Sequence, residues 1–284
     1  MLPWTDRKGQ ISPLKLIVFL ALFGPVLWVA WQGWQGDLAP KPVNEAIHQI
    51  GSWTVRLLLI SLAVTPLRSI VHWPRLVDVR RMLGVGAMAY ALLHFALYIL
   101  DQGGDLWRVA SEIVLRIYLT IGFVALLGLV ALGATSTDGM VRRLGAVRWN
   151  KLHRTIYLLT VLSLAHSFLQ SKVDVTEPVL MTGLFLVLMG HRALHKRGFR
   201  GMASLAGLAI ACAVLTALIE AGWYAAKTGV DAGRVLAANL TIDISMRPSM
   251  WVLLAALALV PLRFLGERRS PTRVAQPVAR PSRA

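Results

Sequence analysis

The chain has 284 residues, 56% of them hydrophobic, and a mean hydropathy of +0.60. A water-soluble domain of this length needs more polar surface than this composition supplies, so the chain is predicted to be a membrane protein. Lysine and arginine number 30 against 14 aspartate and glutamate, which gives a formal charge of +16. In a soluble chain this excess would indicate nucleic acid, but here the cations lie between apolar runs, where they meet lipid headgroups. No nucleic-acid partner is expected.

The single cysteine, Cys212, lies inside an apolar run. One thiol excludes an internal disulfide, an iron–sulfur cluster, a c-type haem attachment and a cysteine-rich zinc site within this chain. The sequence also has no glycine-rich dinucleotide fingerprint after a strand, and no hydrophilic stretch long enough for a nucleotide domain. Any reductant must therefore act from outside the chain.

Eight apolar runs predict an all-α, polytopic membrane helix bundle. About 20 mostly apolar residues are needed to cross a hydrocarbon core of about 30 Å, because backbone polar groups cannot be left unpaired in lipid. The first run is predicted to be a retained span, because it is longer than a usual signal core and no small-x-small cleavage site follows it before Asp37 and Lys41. The runs are approximately 16–34, 51–70, 82–100, 118–134, 152–169, 178–194, 203–224 and 250–265.

Net positive charge alternates between the two predicted sides of the bundle. The amino terminus, the second, fourth and sixth connections and the tail carry an excess of lysine and arginine, whereas the odd connections carry none. Since this excess marks the cytoplasmic side, both termini are predicted to be cytoplasmic. The last two runs contain no histidine, so residues 196–265 are predicted to form an appended helix pair. Residues 266–284, rich in Arg, Pro and Ser, are predicted to be a disordered basic tail.

Two of the seven histidines are predicted to share one depth in the membrane. His94 falls about 18 Å along the third run from its cytoplasmic end, and His166 about 21 Å along the fifth. A lone intramembrane histidine often serves only as a hydrogen-bond partner of a neighbouring helix. Two imidazoles at one level on different helices are what a six-coordinate b-type haem requires, and this pattern favours haem ligation.

His153 is the candidate ligand of a second, inner haem. It precedes His166 by about 20 Å along the helix axis, but about 13 steps of 100° place the two side chains on different faces. Arg80 and Arg81, just before the third run, occupy the positions at which a partner histidine would be needed. The remaining candidates for the other side of this haem are His72, His191, His195, water or nothing.

A polar face of the second run is a further candidate site. His48, Ser52 and Arg56 recur at four-residue spacing, so a helix places them on one side. An intramembrane arginine is costly unless paired, which favours contact of this face with a haem propionate or a quinone headgroup at the outer side. The alternative is that Arg56 extends to a lipid phosphate.

Several ordered motifs extend over about the first 195 residues. They are Ile47-His48-x-x-Gly51, Thr65-Pro66-Leu67, Arg80-Arg81-Met82-Leu83-Gly84 leading to Leu93-His94, Tyr118-Leu119-Thr120-Ile121-Gly122, Thr135-Ser136, Arg143-Leu144-Gly145, and Trp149-x-x-Leu152-His153-Arg154-x-x-Tyr157, followed by His166 and Lys172. Together they resemble the haem-binding membrane subunits of bacterial periplasmic methionine sulfoxide reductase systems, within the ferric reductase-like transmembrane family.

The resemblance implies a b-type haem electron-transfer subunit of the bacterial inner membrane, with residues 1–195 as a six-helix haem-binding core. Its partner would be a periplasmic molybdenum-containing catalytic subunit that reduces methionine sulfoxide in proteins. The implied haem ligands are His94, His153 and His166. The implied electron donors are the quinone pool or a cytoplasmic flavin reductase, and FMN is implied as a cofactor by the family alone.

Two departures from the family pattern are visible. Related ferric reductases have a histidine pair on the third span, and Arg80 replaces one member here, which argues against a second bis-histidine haem. The usual Arg-Pro-Tyr before the fourth span reads Arg116-Ile117-Tyr118.

Other functions and partner sites remain open on the sequence. A stand-alone ferric or quinone reductase would use the same haem ligands without a protein partner. A haem-free small-molecule transporter would use the histidines as proton relays, but the apolar runs are expected to lack buried Asp or Glu and show no clear inverted repeat. A basic cluster is expected either to mark cytoplasmic topology or to dock a flavin phosphate: Arg142, Arg143, Arg148, Lys151 and Arg154.

Overall fold

The computed structural model describes residues 2–6, 8–199, 201–241 and 246–269, and gives no account of the side chains of 267–269. Within these residues the chain forms thirteen α-helices, a 3-10 turn at Pro74–Val79 and no named strand. The helices are α1 (Pro13–Ala21), α2 (Gly24–Gln35), α3 (Pro42–Ile70), α4 (Arg80–Asp101), α5 (Leu106–Leu115), α6 (Ile117–Ala134), α7 (Asp138–His153), α8 (Ile156–Gln170), α9 (Thr176–Lys196), α10 (Met202–Thr228), α11 (Ala232–Ala238), α12 (Pro248–Leu257) and α13 (Leu259–Arg269).

The chain is a multi-pass helical membrane protein. Seven helical segments of the described chain are long and apolar enough to cross a bilayer, and α8 is a shorter apolar helix of 15 residues. These eight segments correspond in order to the eight predicted runs. The predicted tail lies outside the described residues from position 270, while α13 continues to Arg269.

The first predicted run forms one candidate span, Pro13–Gln35, in which the helix is broken between α1 and α2. Pro25 has no N–H to donate at the break, so the local helical bonding is interrupted. The hydroxyl of Tyr90 on α4 fills the gap: it donates to Leu22 O at 2.6 Å and accepts from Val26 N–H at 3.2 Å. A side chain from a neighbouring span therefore stabilises the bend.

The centre of the bundle is the antiparallel pair α3 and α4, against which α6, α8 and α9 pack. Aliphatic side chains of α3 fill the core, and Ile50, Leu58 and Leu62 are each only 1% exposed. The up-and-down order places the start of α3 and α6 beside the end of α4 and α8. This shared end, predicted to face outward, contains the candidate site.

Pro66 lies inside α3 and leaves the carbonyl of Leu62 without its helical donor. Arg192 of α9 supplies the missing bond, because its Nη2 donates to Leu62 O at 2.7 Å. The same guanidinium lies 5.3 Å from the ring centroid of Tyr157 on α8. One arginine thus joins three spans at the end predicted to be cytoplasmic.

Replacing Arg192 with leucine is expected to lower the free energy of unfolding by about 1–3 kcal/mol, because the Leu62 carbonyl is then buried without a donor. In a Pro66→Ala background the same change should cost at least about 1 kcal/mol less, since an alanine in place of the proline restores the helical N–H. Equilibrium unfolding of the four proteins in mixed detergent micelles measures this coupling. Equal costs of Arg192→Leu in both backgrounds would contradict the assignment.

Three short helices lie in connections where the sequence predicts only loops: α5, α7 and α11. Side-chain caps begin them, because Asp105 accepts from Arg108 N–H, Thr137 from Met140 N–H and Asp231 from Arg234 N–H. α7 is interrupted at Gly145, whose φ of +73° suits a residue without Cβ. These helices bring charged residues to the two ends of the bundle.

The carboxyl-terminal helices pack on α9 and on one another, and they enclose a buried polar network. Glu220 of α10 is 0% exposed and accepts from Asn239 Nδ2 at 2.9 Å and from Arg247 Nη1 at 3.3 Å. Ser249 of α12 donates to Asn239 Oδ1 at 2.6 Å. The expectation of no buried acidic residue in the apolar runs is therefore wrong at Glu220, which is tolerated because hydrogen bonds satisfy it. The division into a 1–195 core and an appended pair stays a prediction.

Candidate functional site

Two histidine rings from different spans meet at the shared outer end of the bundle. The ring centroids of His94 on α4 and His166 on α8 lie 6.2 Å apart, and their planes are inclined at 82°. The structure thus brings together the two histidines that were predicted to share a depth. Among the described residues, no group of three or more His, Cys, Asp or Glu side chains is arranged to hold a metal ion. The pair can therefore supply two ligands to one bound group.

Both rings are oriented in the same way by a backbone carbonyl of a neighbouring helix. His94 Nδ1 lies 2.9 Å from Ile47 O on α3, and His166 Nδ1 lies 2.7 Å from Tyr118 O on α6. A carbonyl oxygen only accepts, so each Nδ1 carries the proton and donates it. Each Nε2 is then the nitrogen with a free lone pair, which is the form of histidine that binds a metal.

A glycine lies one helical turn after each of these carbonyls and makes room for the ring. A Cβ on Gly51 would lie 2.9 Å from His94 Nδ1, and a Cβ on Gly122 would lie 2.7 Å from His166 Nδ1. Both distances are shorter than normal carbon–nitrogen contacts. Gly51 and Gly122 are site residues that the sequence reading did not identify, although both close motifs of the resemblance. The sequence signal that could have identified them is a glycine four residues after Ile47 and another four residues after Tyr118.

The separation of the rings fits one metal atom between them. A metal–imidazole bond is about 2 Å and each ring centroid lies about 1 Å beyond its nitrogen, so two such bonds place the centroids about 6 Å apart. The observed 6.2 Å agrees with this sum. The fixed Nδ1–H tautomers leave both Nε2 atoms as donors, so these two side chains would suit a bis-histidine ligand pair.

The rings line a cavity of about 350 Å³, within the range of about 300–1,000 Å³ that cofactor pockets occupy. Its deeper part is apolar and includes Ala91, Leu126 and Leu129. Its mouth is polar and includes Asp174 and Glu177. An amphipathic, flat group with an apolar body and polar edge suits this distribution.

The predicted polar face of α3 is divided by the structure. His48 and Ser52 line the cavity, whereas Arg56 is absent from its described lining. Arg56 instead forms an ion pair with Glu177 of α9 at 2.7 Å and lies 4.8 Å from the ring centroid of Trp53. Ser52 donates to the second oxygen of Glu177 at 3.0 Å. Glu177 therefore joins the two helices and is a further residue that the sequence reading did not identify.

His153 lies at the opposite end of the bundle from the histidine pair. Its ring stacks on Trp149 at 3.8 Å, and its Nε2 lies 3.3 Å from Thr135 Oγ1. Burial, together with the positive charges of Arg80 and Arg81, lowers the pKa of His153 and so favours its neutral form. Neutral imidazole is the ligand form, but Nε2 is engaged by the threonine hydroxyl.

The other histidines of the inner end form no described ring contact with His153. His191 and His195 stack on each other along α9, with centroids 6.0 Å apart. His72 follows the end of α3, in a left-handed conformation with φ of +52°. None of these three histidines therefore faces His153 in the described structure as His94 faces His166.

Comparison with known proteins identifies relatives over most of this region. Residues 50–164 match the family described as ferric reductase like transmembrane component. The haem-binding subunit MsrQ of protein-methionine-sulfoxide reductase from Caulobacter vibrioides is 39% identical over 191 residues, which cover 67% of this chain and 91% of the relative. The proteins of the same name from Rhodospirillum rubrum and Xanthomonas campestris are 41% and 42% identical, over 66% and 68% of this chain and 88% and 92% of theirs. No solved structure matches the chain.

Proposed function

The chain belongs to the family of MsrQ haem-binding subunits of protein-methionine-sulfoxide reductases, and on that premise we propose that it carries electrons across the membrane through b-type haem. The acceptor would be a partner subunit that reduces methionine sulfoxide. The observation that supports this most strongly is the pair of rings 6.2 Å apart, each with Nδ1 donating to a carbonyl.

In this function His94 and His166 would hold the haem iron through their Nε2 atoms. Bound between two imidazoles, haem supplies reversible one-electron redox chemistry without a substrate site at the iron. Ile47 and Tyr118 keep the ring tautomers fixed through their carbonyls. The apolar lining contributed by Ala91, Leu126 and Leu129 excludes water from the ring faces. Low polarity around the site tunes the reduction potential together with the axial ligands.

The position of the site supports an outward direction of electron transfer. The histidine pair is near the ends of α4 and α8, which the charge distribution predicts to face the periplasm. We propose that electrons come from quinol or a cytoplasmic flavin reductase and leave to a periplasmic molybdenum-containing catalytic subunit that forms a heterodimer with this chain in the inner membrane. FMN is proposed as a further cofactor on family membership alone.

A second haem at the inner end would take His153 as its ligand. This proposal requires the Thr135 hydroxyl to release His153 Nε2. Arg80 and Arg81 lie near this ring and would face the carboxylates of such a haem. Haem stoichiometry distinguishes one site from two.

The purified chain is expected to show a Soret band with sharp α and β bands on reduction, which report low-spin bis-histidine iron. Alanine at His94 or His166 should abolish the low-spin signal, because only one ring of the facing pair then remains. Alanine at His153 should leave this signal and lower the haem-to-protein ratio only if an inner haem is present. Pyridine haemochrome quantification and absorption spectra on these variants measure both quantities.

The same samples separate the rival functions. A folded but colourless wild-type protein would contradict the proposal and favour a transporter. A haem-loaded protein that reduces ferric chelates rapidly, and that shows no association with a soluble molybdenum-containing protein, would favour a stand-alone reductase.

A further inference from the structure

A second cavity, of about 380 Å³, adjoins the histidine cavity at the outer end of the bundle. It lies where α4 and α8 end and α6 begins, and α5 closes one side. The two cavities share five lining residues: Asn44, Tyr98, Asp101, Tyr118 and Gln170. A ligand in the histidine cavity is therefore separated from the second cavity by single side chains.

Tyr118 connects the two cavities chemically. Its carbonyl accepts the proton of His166 Nδ1, and its ring stacks against the His166 ring with centroids 6.4 Å apart. Its hydroxyl accepts from Arg116 Nη1 at 3.2 Å and keeps its own proton to donate. Tyr118, whose ring contacts His166, and Arg116 can therefore donate hydrogen bonds to an anion in the second cavity.

The second cavity carries more positive than negative charge. Arg108, Arg116 and Lys172 line it, against Asp101 and Glu112. Arg116 is paired with Glu112. Arg108 and Lys172 have no ion pair within the part of the chain that the structure describes. Two cations therefore line this cavity without a protein counterion.

The other side of the histidine cavity's mouth is acidic. Asp174 accepts from Thr176 N–H at 2.9 Å, and its bonds with Thr176 hold the pKa of this carboxyl below its usual value. Glu177 is bonded to Arg56 and Ser52. A carboxylate of a bound ligand is repelled by Asp174 and finds Arg56 already engaged, so it is directed towards the second cavity.

We infer that the second cavity receives the propionate carboxylates of the haem, with Arg108 and Lys172 as their counterions. The inference rests on the proposed function, because it assumes haem between His94 and His166. The spacing on α3 indicated Arg56 as the propionate contact. The inference assigns this contact instead to Arg108 of α5 and to Lys172, which follows α8. Both side chains reach water, so each pair should contribute only a few-fold to haem retention.

The test compares haem with haem dimethyl ester, which has the same ring and iron but no free carboxylate. Full-length protein made without haem is reconstituted with either compound, and the dissociation rates are measured by transfer to apomyoglobin. The wild type is expected to retain haem about tenfold longer than the ester, and the Arg108→Gln/Lys172→Gln double variant less than about twofold longer. The variant's haem should also have a lower midpoint potential, because removing cations favours ferric iron.

Arg234→Gln, which removes an exposed arginine on α11, is the matched control and should behave as the wild type. A double variant that keeps the wild-type preference for haem over the ester overturns the inference and leaves the proposed function intact. A wild-type chain that binds neither compound overturns the proposed function, and this inference with it.

Discussion

Alanine at Gly122 is expected to deprive the outer site of haem while both histidines remain in the chain. The new Cβ would lie 2.7 Å from Nδ1, 2.8 Å from Cε1 and 3.1 Å from Cγ of His166. The ring must then move away from α6, which breaks its bond to Tyr118 O and misaligns Nε2. Overpacking of this kind costs about 1–3 kcal/mol, which corresponds to roughly 5- to 150-fold weaker haem retention.

The measurement is the low-spin absorption per folded protein, with the rate of haem loss as a second reading. Gly207→Ala is the control, because Gly207 lies on the membrane-spanning α10 with nothing within 4 Å of its added Cβ. Gly51→Ala should act in the same direction through His94, with less loss because the closest contact is 2.9 Å. If Gly122→Ala keeps wild-type spectra and haem content, the close approach of ring and helix has no part in ligation.

Leucine at Glu220 is expected to give the largest loss of stability outside the haem site. The change removes the acceptor of Asn239 and Arg247 in a place where Glu220 is 0% exposed. Breaking a buried ion pair costs about 3–5 kcal/mol, and a value near about 3 kcal/mol is expected here because Arg247 retains access to water. Thermal unfolding in detergent, followed by circular dichroism, measures the change.

Two comparisons make this prediction specific. Glu220→Gln keeps an acceptor for Asn239 and should cost clearly less than Glu220→Leu. If residues 1–195 form the haem-binding core, the spectrum and haem content of Glu220→Leu should stay those of the wild type below its unfolding temperature. If Glu220→Leu loses haem as α10–α12 unfold, the predicted division of the chain is wrong.

The sequence was sufficient for the positions of the membrane segments because hydropathy reports directly which stretches avoid water. It was also sufficient to place His94 and His166 at one depth, since depth depends only on residue count along a helix. It could not show which way each ring turns. That depends on how closely neighbouring helices approach, and a Cβ on Gly51 or Gly122 would collide with the ring of His94 or His166.

The sequence also could not show which residues from distant parts of the chain form ion pairs or hydrogen bonds with one another. Arg56 was recognised as a costly charge, yet its partner Glu177 is 121 residues later in the chain. The sequence pattern does not show which side of α9 faces α3. The same holds for Arg192, which serves the carbonyl of Leu62. Glu220 was missed for a different reason: it lies near the end of its run and was counted with the charges of the outer connection.

The shortness of α8 has a consequence for the lipid around it. Fifteen residues of helix measure about 22 Å, less than the bilayer's apolar thickness of about 30 Å. Leu158 and Val161 are exposed on this helix, and a bilayer that covers them can match the helix length by thinning locally. Local thinning of this kind would bring the water boundary nearer to His166. A partner's redox centre would then have a shorter tunnelling gap to cross than a full-length span would impose.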